Sequence, residues 1–80
     1  MNKILLYTVY DRVAGTYSVP FSSANCATAE REFLETVSKS PYKLDFEMYV
    51  IGLYDVVGGV IEAYDKPEFV RRYDEVTDNA

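Results

Sequence analysis

The side chains that could carry chemistry in this sequence are, first, two close pairs of carboxylates. Asp45 and Glu47 are two residues apart, which places them on one face of a strand, and Glu62 and Asp65 straddle a strand end. Carboxylate pairs can bind Mg²⁺ or perform acid–base work. No Glu-x-Lys follows to indicate a metal-dependent nuclease, and Gly58-Gly59 lacks the lysine of a phosphate-binding loop. These carboxylates therefore do not form a recognisable catalytic motif.

Cys26 is the only cysteine, and the sequence contains no histidine. The missing histidine excludes Ser-His-Asp and Cys-His triads and imidazole metal sites. A lone cysteine excludes an intramolecular disulfide and multi-cysteine zinc sites. Cys26 also falls on the apolar stripe of a predicted helix, where we expect a buried and unreactive thiol. The sequence thus predicts a protein that is not an enzyme, with no catalytic residue, no metal site and no cofactor.

Size and charge narrow the class of protein further. The chain has 80 residues, which predicts a single domain over 1–80. Its net charge is −5, whereas most nucleic-acid binders carry a basic excess. No stretch approaches the ~20 apolar residues of a membrane span, and the first residues do not fit a secretory signal. We therefore expect an intracellular protein with no membrane partner.

Hydrophobic patterning predicts the elements that position these side chains. Two β-hairpins are expected over 4–21 and 47–64, since both ranges are rich in β-branched and aromatic residues around a glycine turn. A helix is expected over 25–38 from the spacing of Cys26, Ala29, Phe33 and Val37. A short helix over 67–75 is indicated by the early Pro67, and 77–80 should fray.

The fold class that follows is α+β, in the order ββαββα. A four-stranded antiparallel sheet from two β-hairpins would carry one main helix across one face, with a short C-terminal helix. The motif Tyr-Asp-x-Val-x-Gly occurs at both 10–15 and 54–59, each time between two predicted strands. The chain is therefore either two related ββα units or two hairpins that acquired the same turn chemistry independently.

Strand alternation assigns residues to the two faces of the sheet. The face beneath the helix is predicted to hold Leu5, Tyr7, Val9, Tyr17, Val19, Phe21, Tyr49, Ile51 and Leu53. The opposite face is predicted to hold Leu6, Thr8, Tyr10, Thr16, Ser18, Met48, Val50 and Tyr54, joined by Glu62 and Tyr64. The second face is more apolar than a solvated face needs to be, which indicates a docking surface.

Eight tyrosines and no tryptophan favour a surface that docks a partner or stacks unpaired bases. Tyr10, Tyr54 and Tyr64 are the candidates for base stacking. The candidates for phosphate contact are Arg12, Lys43, Arg71 and Arg72, and the candidate interface residues are Leu6, Met48 and Val50. The simpler interpretation is that the tyrosines fill core and rim and that the cations are solvated.

Two blocks of the sequence resemble a known family. They look like a small nonstructural protein of gokushoviruses, a subgroup of the microvirus family of single-stranded DNA phages. The first block, over 7–21, reads Tyr-Thr-Val-Tyr-Asp-Arg-Val-Ala-Gly-Thr-Tyr-Ser-Val-Pro-Phe, and the second, over 49–55, reads Tyr-Val-Ile-Gly-Leu-Tyr-Asp. The resemblance implies a DNA-binding bacteriophage protein of the host cytoplasm, absent from the mature virion. It also implies a role in DNA replication, at the shift to single-stranded genome synthesis before packaging.

Two functions are therefore expected from the sequence. The first is a non-enzymatic phage accessory protein that engages single-stranded DNA, or the replication complex on it, during genome synthesis and packaging. The second is a protein–protein interaction module that binds a host or phage replication or assembly protein through the same sheet face without touching DNA. In both cases we expect a homo-oligomer, most simply a dimer, because a core this small benefits from burial by a partner.

Overall fold

The computed structural model describes residues 3–73. In chain order, the strands are β1 (Lys3–Asp11), β2 (Thr16–Tyr17), β3 (Phe21–Ser22), β4 (Phe46–Asp55) and β5 (Val60–Arg72). One α-helix, α1 (Cys26–Val37), lies between β3 and β4, followed by a 3₁₀ turn at Lys43–Asp45. The sheet order is β2-β1-β4-β5, with β3 also paired to β1, and every pairing is antiparallel. The sheet curls into a half-barrel.

The predicted ββαββα fold is wrong. The described chain is mostly β, with five strands and one helix, and the helix expected over 67–75 is absent as far as residue 73. β5 continues to Arg72 because Phe69 and Arg71 pair with Tyr49 and Met48 of β4. Pro67 lies where the register between β4 and β5 is broken, so its missing N–H removes no bond of the ladder. Residues 74–80, including the tail over 77–80, lie outside the described residues.

The helix predicted over 25–38 is present as Cys26–Val37, flanked by its two caps. Asn25 is the N-cap, since its side-chain oxygen accepts a hydrogen bond from the Thr28 N–H at 2.9 Å. Ala29, Phe33 and Val37 form the buried stripe, as expected. The expectation of a buried Cys26 is wrong: it is exposed at the first turn, where its thiol lies 3.4 Å from Glu30 Oε2.

The two copies of the repeated motif form the same turn. Asp11 Oδ1 accepts the N–H groups of residues 13 and 14 at 2.9 and 3.1 Å, and Asp55 Oδ1 accepts those of residues 57 and 58 at 3.0 and 3.1 Å. Gly15 and Gly59 close the turns with φ of 72° and 70°, a left-handed conformation that favours glycine. Within residues 3–73, a helix follows the first hairpin and none follows the second, so the likeness found there is one of turn chemistry.

The core lies between α1 and the helix-facing side of the sheet. Its buried members are Tyr7, Ala29, Phe33, Val37, Met48 and Tyr73. A β-bulge decides which β4 residues join it: Leu6 pairs with Gly52 and Tyr7 with Val50, which leaves Ile51 as the extra residue.

The predicted assignment of faces is wrong for residues 48–50 of β4, because the bulge at Ile51 shifts the alternation by one residue. Leu53 and Tyr54, beyond the bulge, lie on their predicted faces. Met48 is fully buried and Val50 packs against the core, although both were expected on the face away from the helix. Tyr49 lies on the side that Met48 was expected to occupy, beside Tyr10. The first hairpin departs as well, because Tyr17 and Val19 are exposed and not part of the core.

Candidate functional site

Four aromatic rings form a continuous group on the sheet face opposite α1. We call Tyr10, Tyr17, Tyr49 and Phe69 the aromatic cluster. Ring centroids are 4.6 Å apart for Tyr10–Tyr17, 6.2 Å for Tyr10–Tyr49 and 5.7 Å for Tyr49–Phe69. Tyr17 is 49% exposed and Phe69 is 56% exposed, so both ends of the cluster are accessible to a ligand.

Strand register brings the cluster together, with one ring from each of β2, β1, β4 and β5. Tyr10 is directly opposite Tyr17, and Tyr49 is directly opposite Phe69. Side chains that are opposite each other on neighbouring strands share a face. Three of the ring pairs are close to edge-to-face, with interplanar angles of 75–89°, a geometry worth about 0.5–1.5 kcal/mol per pair beyond burial. The strand register and the ring contacts therefore hold the four rings in a defined arrangement.

A nearly buried carboxylate lies within this face. Glu47 is 8% exposed and stands between Tyr10 of β1 and Arg72 of β5 in the register. The Tyr49 hydroxyl donates a hydrogen bond to Glu47 Oε1 at 2.9 Å. The Arg72 guanidinium lies 3.7 Å from Glu47 Oε2, and its side chain is 59% exposed. The carboxylate is thus held by one short hydrogen bond and one loose ion pair.

The same hydrogen bond sets the ionisation of Tyr49. Burial and the hydrogen bond to the Glu47 carboxylate raise the pKa of Tyr49 to about 12. An unfolded tyrosine loses its proton near pH 10, so the stabilisation from neutral Tyr49 is complete below about pH 10. It is lost as the pH rises from about 10 to about 12.

Tyr49→Phe should therefore remove a tyrosine whose pKa is raised to about 12. We expect the phenolate absorbance titration of the variant to lose its component near pH 12, while Tyr42→Phe, an exposed control, leaves that component in place. The variant should also lose less stability than the wild type between pH 10 and 12. A late component that persists in Tyr49→Phe would assign it to another tyrosine.

The three tyrosines predicted to stack bases are not together. Tyr10 belongs to the aromatic cluster. Tyr54 is opposite Ile4 and Ile61, on the far side of the β4 bulge from the cluster. Tyr64 is half-buried in the part of β5 that does not pair with β4. Its hydroxyl is close enough to Tyr7, on the helix-facing side, to contribute to the raised pKa of that residue.

The four predicted phosphate-binding cations are each engaged within the chain. Arg12 lies 3.5 Å from Asp45, and Arg71 lies 3.1 Å from Glu30. The Lys43 ammonium lies 5.1 Å from the centroid of the Tyr73 ring. The fourth cation, Arg72, is opposite Glu47 in the register and lies beside the aromatic cluster.

The predicted interface residues are also divided. Leu6 lies on the face opposite α1, opposite Gly52, and is half-buried. Met48 and Val50 pack beneath the helix, so the prediction that they line the open face is wrong. Three members of the aromatic cluster were not expected there. Strand alternation predicted Tyr17 and Tyr49 in the core, and the Pro67 signal predicted Phe69 in a helix. The pairing of Tyr10 with Tyr17 across a glycine turn is the signal that could have revealed the cluster.

An apolar cavity of about 570 Å³ opens between α1 and the sheet, on the side away from the aromatic cluster. Its lining is almost wholly apolar apart from a few hydroxyls and one carboxylate. The lining residues are Val9, Ser18, Phe21, Glu32, Phe33, Thr36, Val37, Ser40 and Phe46.

Within residues 3–73, no group of three or more Cys, Asp or Glu side chains is arranged to hold a metal ion. No helix in that part of the chain has the length and apolar character needed to cross a membrane.

Comparison with known proteins gives one family. The family described as phage ORF5 protein matches residues 4–76 of the chain. No curated protein and no solved structure matches it.

Proposed function

Because the chain belongs to the phage ORF5 protein family, we propose that it engages single-stranded DNA, or the replication complex on it, during viral genome synthesis and packaging. In this proposal it is a non-enzymatic accessory protein of a microvirus, acting in the host cytoplasm and absent from the virion. The aromatic cluster is the DNA-binding surface. Unpaired bases stack on its exposed rings.

The observation that carries the proposal is the exposure of a fixed ring surface across four strands. Tyr17 and Phe69 expose about half of their surface although the chain has a small core in need of apolar side chains. Base–aromatic stacking contributes about 1–3 kcal/mol per base and tolerates any sequence. A surface of this kind can bind single strands even when the protein is acidic.

The charge distribution predicts how such binding responds to salt. The chain has a net charge of −5, and Arg72 is the cation placed beside the aromatic cluster. For single strands, log K falls with log salt at a slope of about −0.7 per phosphate neutralised. We therefore expect binding that is carried by stacking, with a slope corresponding to roughly one or two phosphates.

Removing an exposed ring should weaken binding without unfolding the protein. We expect Tyr17→Ala and Phe69→Ala each to raise the Kd for a fluorescent dT oligonucleotide by roughly 5- to 150-fold, which corresponds to about 1–3 kcal/mol. The measurement is an anisotropy titration at about 50 mM and about 200 mM salt. Tyr42→Ala is the matched control, since Tyr42 is exposed but outside the aromatic cluster. Equal Kd values for all four proteins would refute DNA stacking at this surface.

The second candidate is a protein-interaction module that uses the same aromatic cluster. It is favoured by the pairing of all four candidate cations with groups of the chain and by the net negative charge. Exposed aromatic side chains are also typical of the residues that dominate protein interfaces. The partner is then a host or phage replication or assembly protein. This candidate predicts no anisotropy change with any oligonucleotide at either salt concentration.

We also propose that the protein is a homo-oligomer, most simply a dimer. The support is the number of exposed apolar side chains on β5 and its turn, among them Val57, Val60 and Ile61, in a chain with a small core. Sedimentation equilibrium over a range of protein concentrations measures the mass directly, and a single monomer mass throughout would refute the proposal.

A further inference from the structure

We infer that Glu47 gives the aromatic cluster a preference for guanine over the other bases. This inference rests on the proposed function, because it concerns which base the cluster selects from a single strand. Glu47 is the carboxylate within the face that carries the four rings, and its neighbours in the register are Tyr10 and Arg72.

The position of Glu47 is unusual for an acidic side chain. It is 8% exposed on the sheet face that carries the four rings of the aromatic cluster. Burial of a charge is unfavourable unless hydrogen bonds and an opposite charge compensate it. Tyr49 supplies one hydrogen bond at 2.9 Å, and Arg72 supplies a charge at 3.7 Å, beyond hydrogen-bond distance. A carboxylate has about four acceptor positions, so Glu47 retains acceptor capacity toward a ligand.

The remaining acceptor positions of Glu47 favour one base. A base stacked on the neighbouring rings presents its Watson–Crick edge within the same face. Guanine has two adjacent donors on that edge, N1–H and the N2 amino group, which match the two oxygens of a carboxylate as an arginine fork does. Adenine, cytosine and thymine each offer a single N–H donor group on that edge. The carboxylate therefore discriminates in favour of guanine.

Arg72 can leave the carboxylate when guanine binds. Its side chain is 59% exposed and its contact with Glu47 is long, so the ion pair is easily exchanged. One guanine donor then takes its place at Oε2, and the other binds the second acceptor position of Oε1, which keeps its hydrogen bond from Tyr49. The released guanidinium is positioned to meet a phosphate of the same strand.

The test compares dT oligonucleotides that carry two central guanines, adenines, cytosines or inosines. We expect the guanine probe to bind roughly 5- to 150-fold more tightly than the others, since a good bidentate pair discriminates by about 1–3 kcal/mol. Inosine lacks the N2 amino group and should bind like adenine. Glu47→Gln keeps the size of the side chain but exchanges one acceptor for a donor, so it should abolish the preference for guanine.

Glu68→Gln is the matched control, since Glu68 is an exposed carboxylate of β5 opposite Val50, a residue that packs on the helix-facing side. It should retain the full preference for guanine, and thermal unfolding of both variants checks that they fold. Equal binding of all probes by the wild type would overturn the inference and leave the proposed function intact. Binding of none of the probes would overturn the proposed function itself. A guanine preference that survives in Glu47→Gln would also overturn the inference, because another group would then read the base.

Discussion

Replacing Phe33 with alanine should lower the free energy of unfolding by about 3–5 kcal/mol. Phe33 is 1% exposed at the centre of the buried stripe of α1, where it belongs to the same cluster of buried side chains as Tyr7 and Met48. It also lines the apolar cavity of about 570 Å³. Truncation would enlarge that cavity and remove the largest buried side chain of the helix.

The loss is large in relation to the whole protein. Domains are stabilised by about 0.05–0.15 kcal/mol per residue, which gives roughly 4–12 kcal/mol for a chain of this length. Urea unfolding followed by circular dichroism measures the difference. Phe69→Ala is the matched control, because the same side chain is 56% exposed there and its removal should cost far less. Equal destabilisation by the two substitutions would show that α1 does not hold the core together.

Replacing Gly52 with alanine should be the most damaging small substitution in the sheet. A Cβ on Gly52 would overlap the carbonyl oxygen of Glu62 and lie 3.1 Å from the Cα of Ala63. Both are backbone atoms of β5, so the clash is relieved only if β4 and β5 separate. Insertion of a methyl group into a packed region typically costs about 1–3 kcal/mol, and we expect the upper end of that range here.

Gly58→Ala provides the comparison for this substitution. Its added Cβ would meet the Asp55 carboxylate at 3.2 Å, a side chain that can move. Thermal unfolding should therefore show a clearly lower Tm for Gly52→Ala than for Gly58→Ala. Gly52→Ala should also lower the affinity of the aromatic cluster for its ligand, since Phe69 and Arg72 lie on β5. Equal Tm values would mean that β5 does not lie this close to Gly52.

The candidate site was predictable only in part, and the residues show why. Tyr10 was identified because its own strand alternates without a break over 4–10. Tyr49 was placed on the wrong face, since one extra residue at the bulge reverses every assignment beyond it. Gly52, a glycine inside the strand, is the local signal that could have indicated the bulge. Phe69 was assigned to a helix because Pro67 and its acidic neighbours resemble a helix start.

The sequence by itself determined those features whose causes are local. The N-cap at Asn25 and the spacing of Ala29, Phe33 and Val37 define α1, and the two aspartate–glycine turns define the hairpins. The tertiary structure alone decided that residues 67–72 continue a strand, because β4 supplies hydrogen-bond partners that no local signal reveals. It also decided which residues of β4 lie on each face of the sheet, and thus placed Glu47 beside the aromatic cluster. These outcomes depend on pairing between residues distant in the chain, where long-range contacts override local propensity.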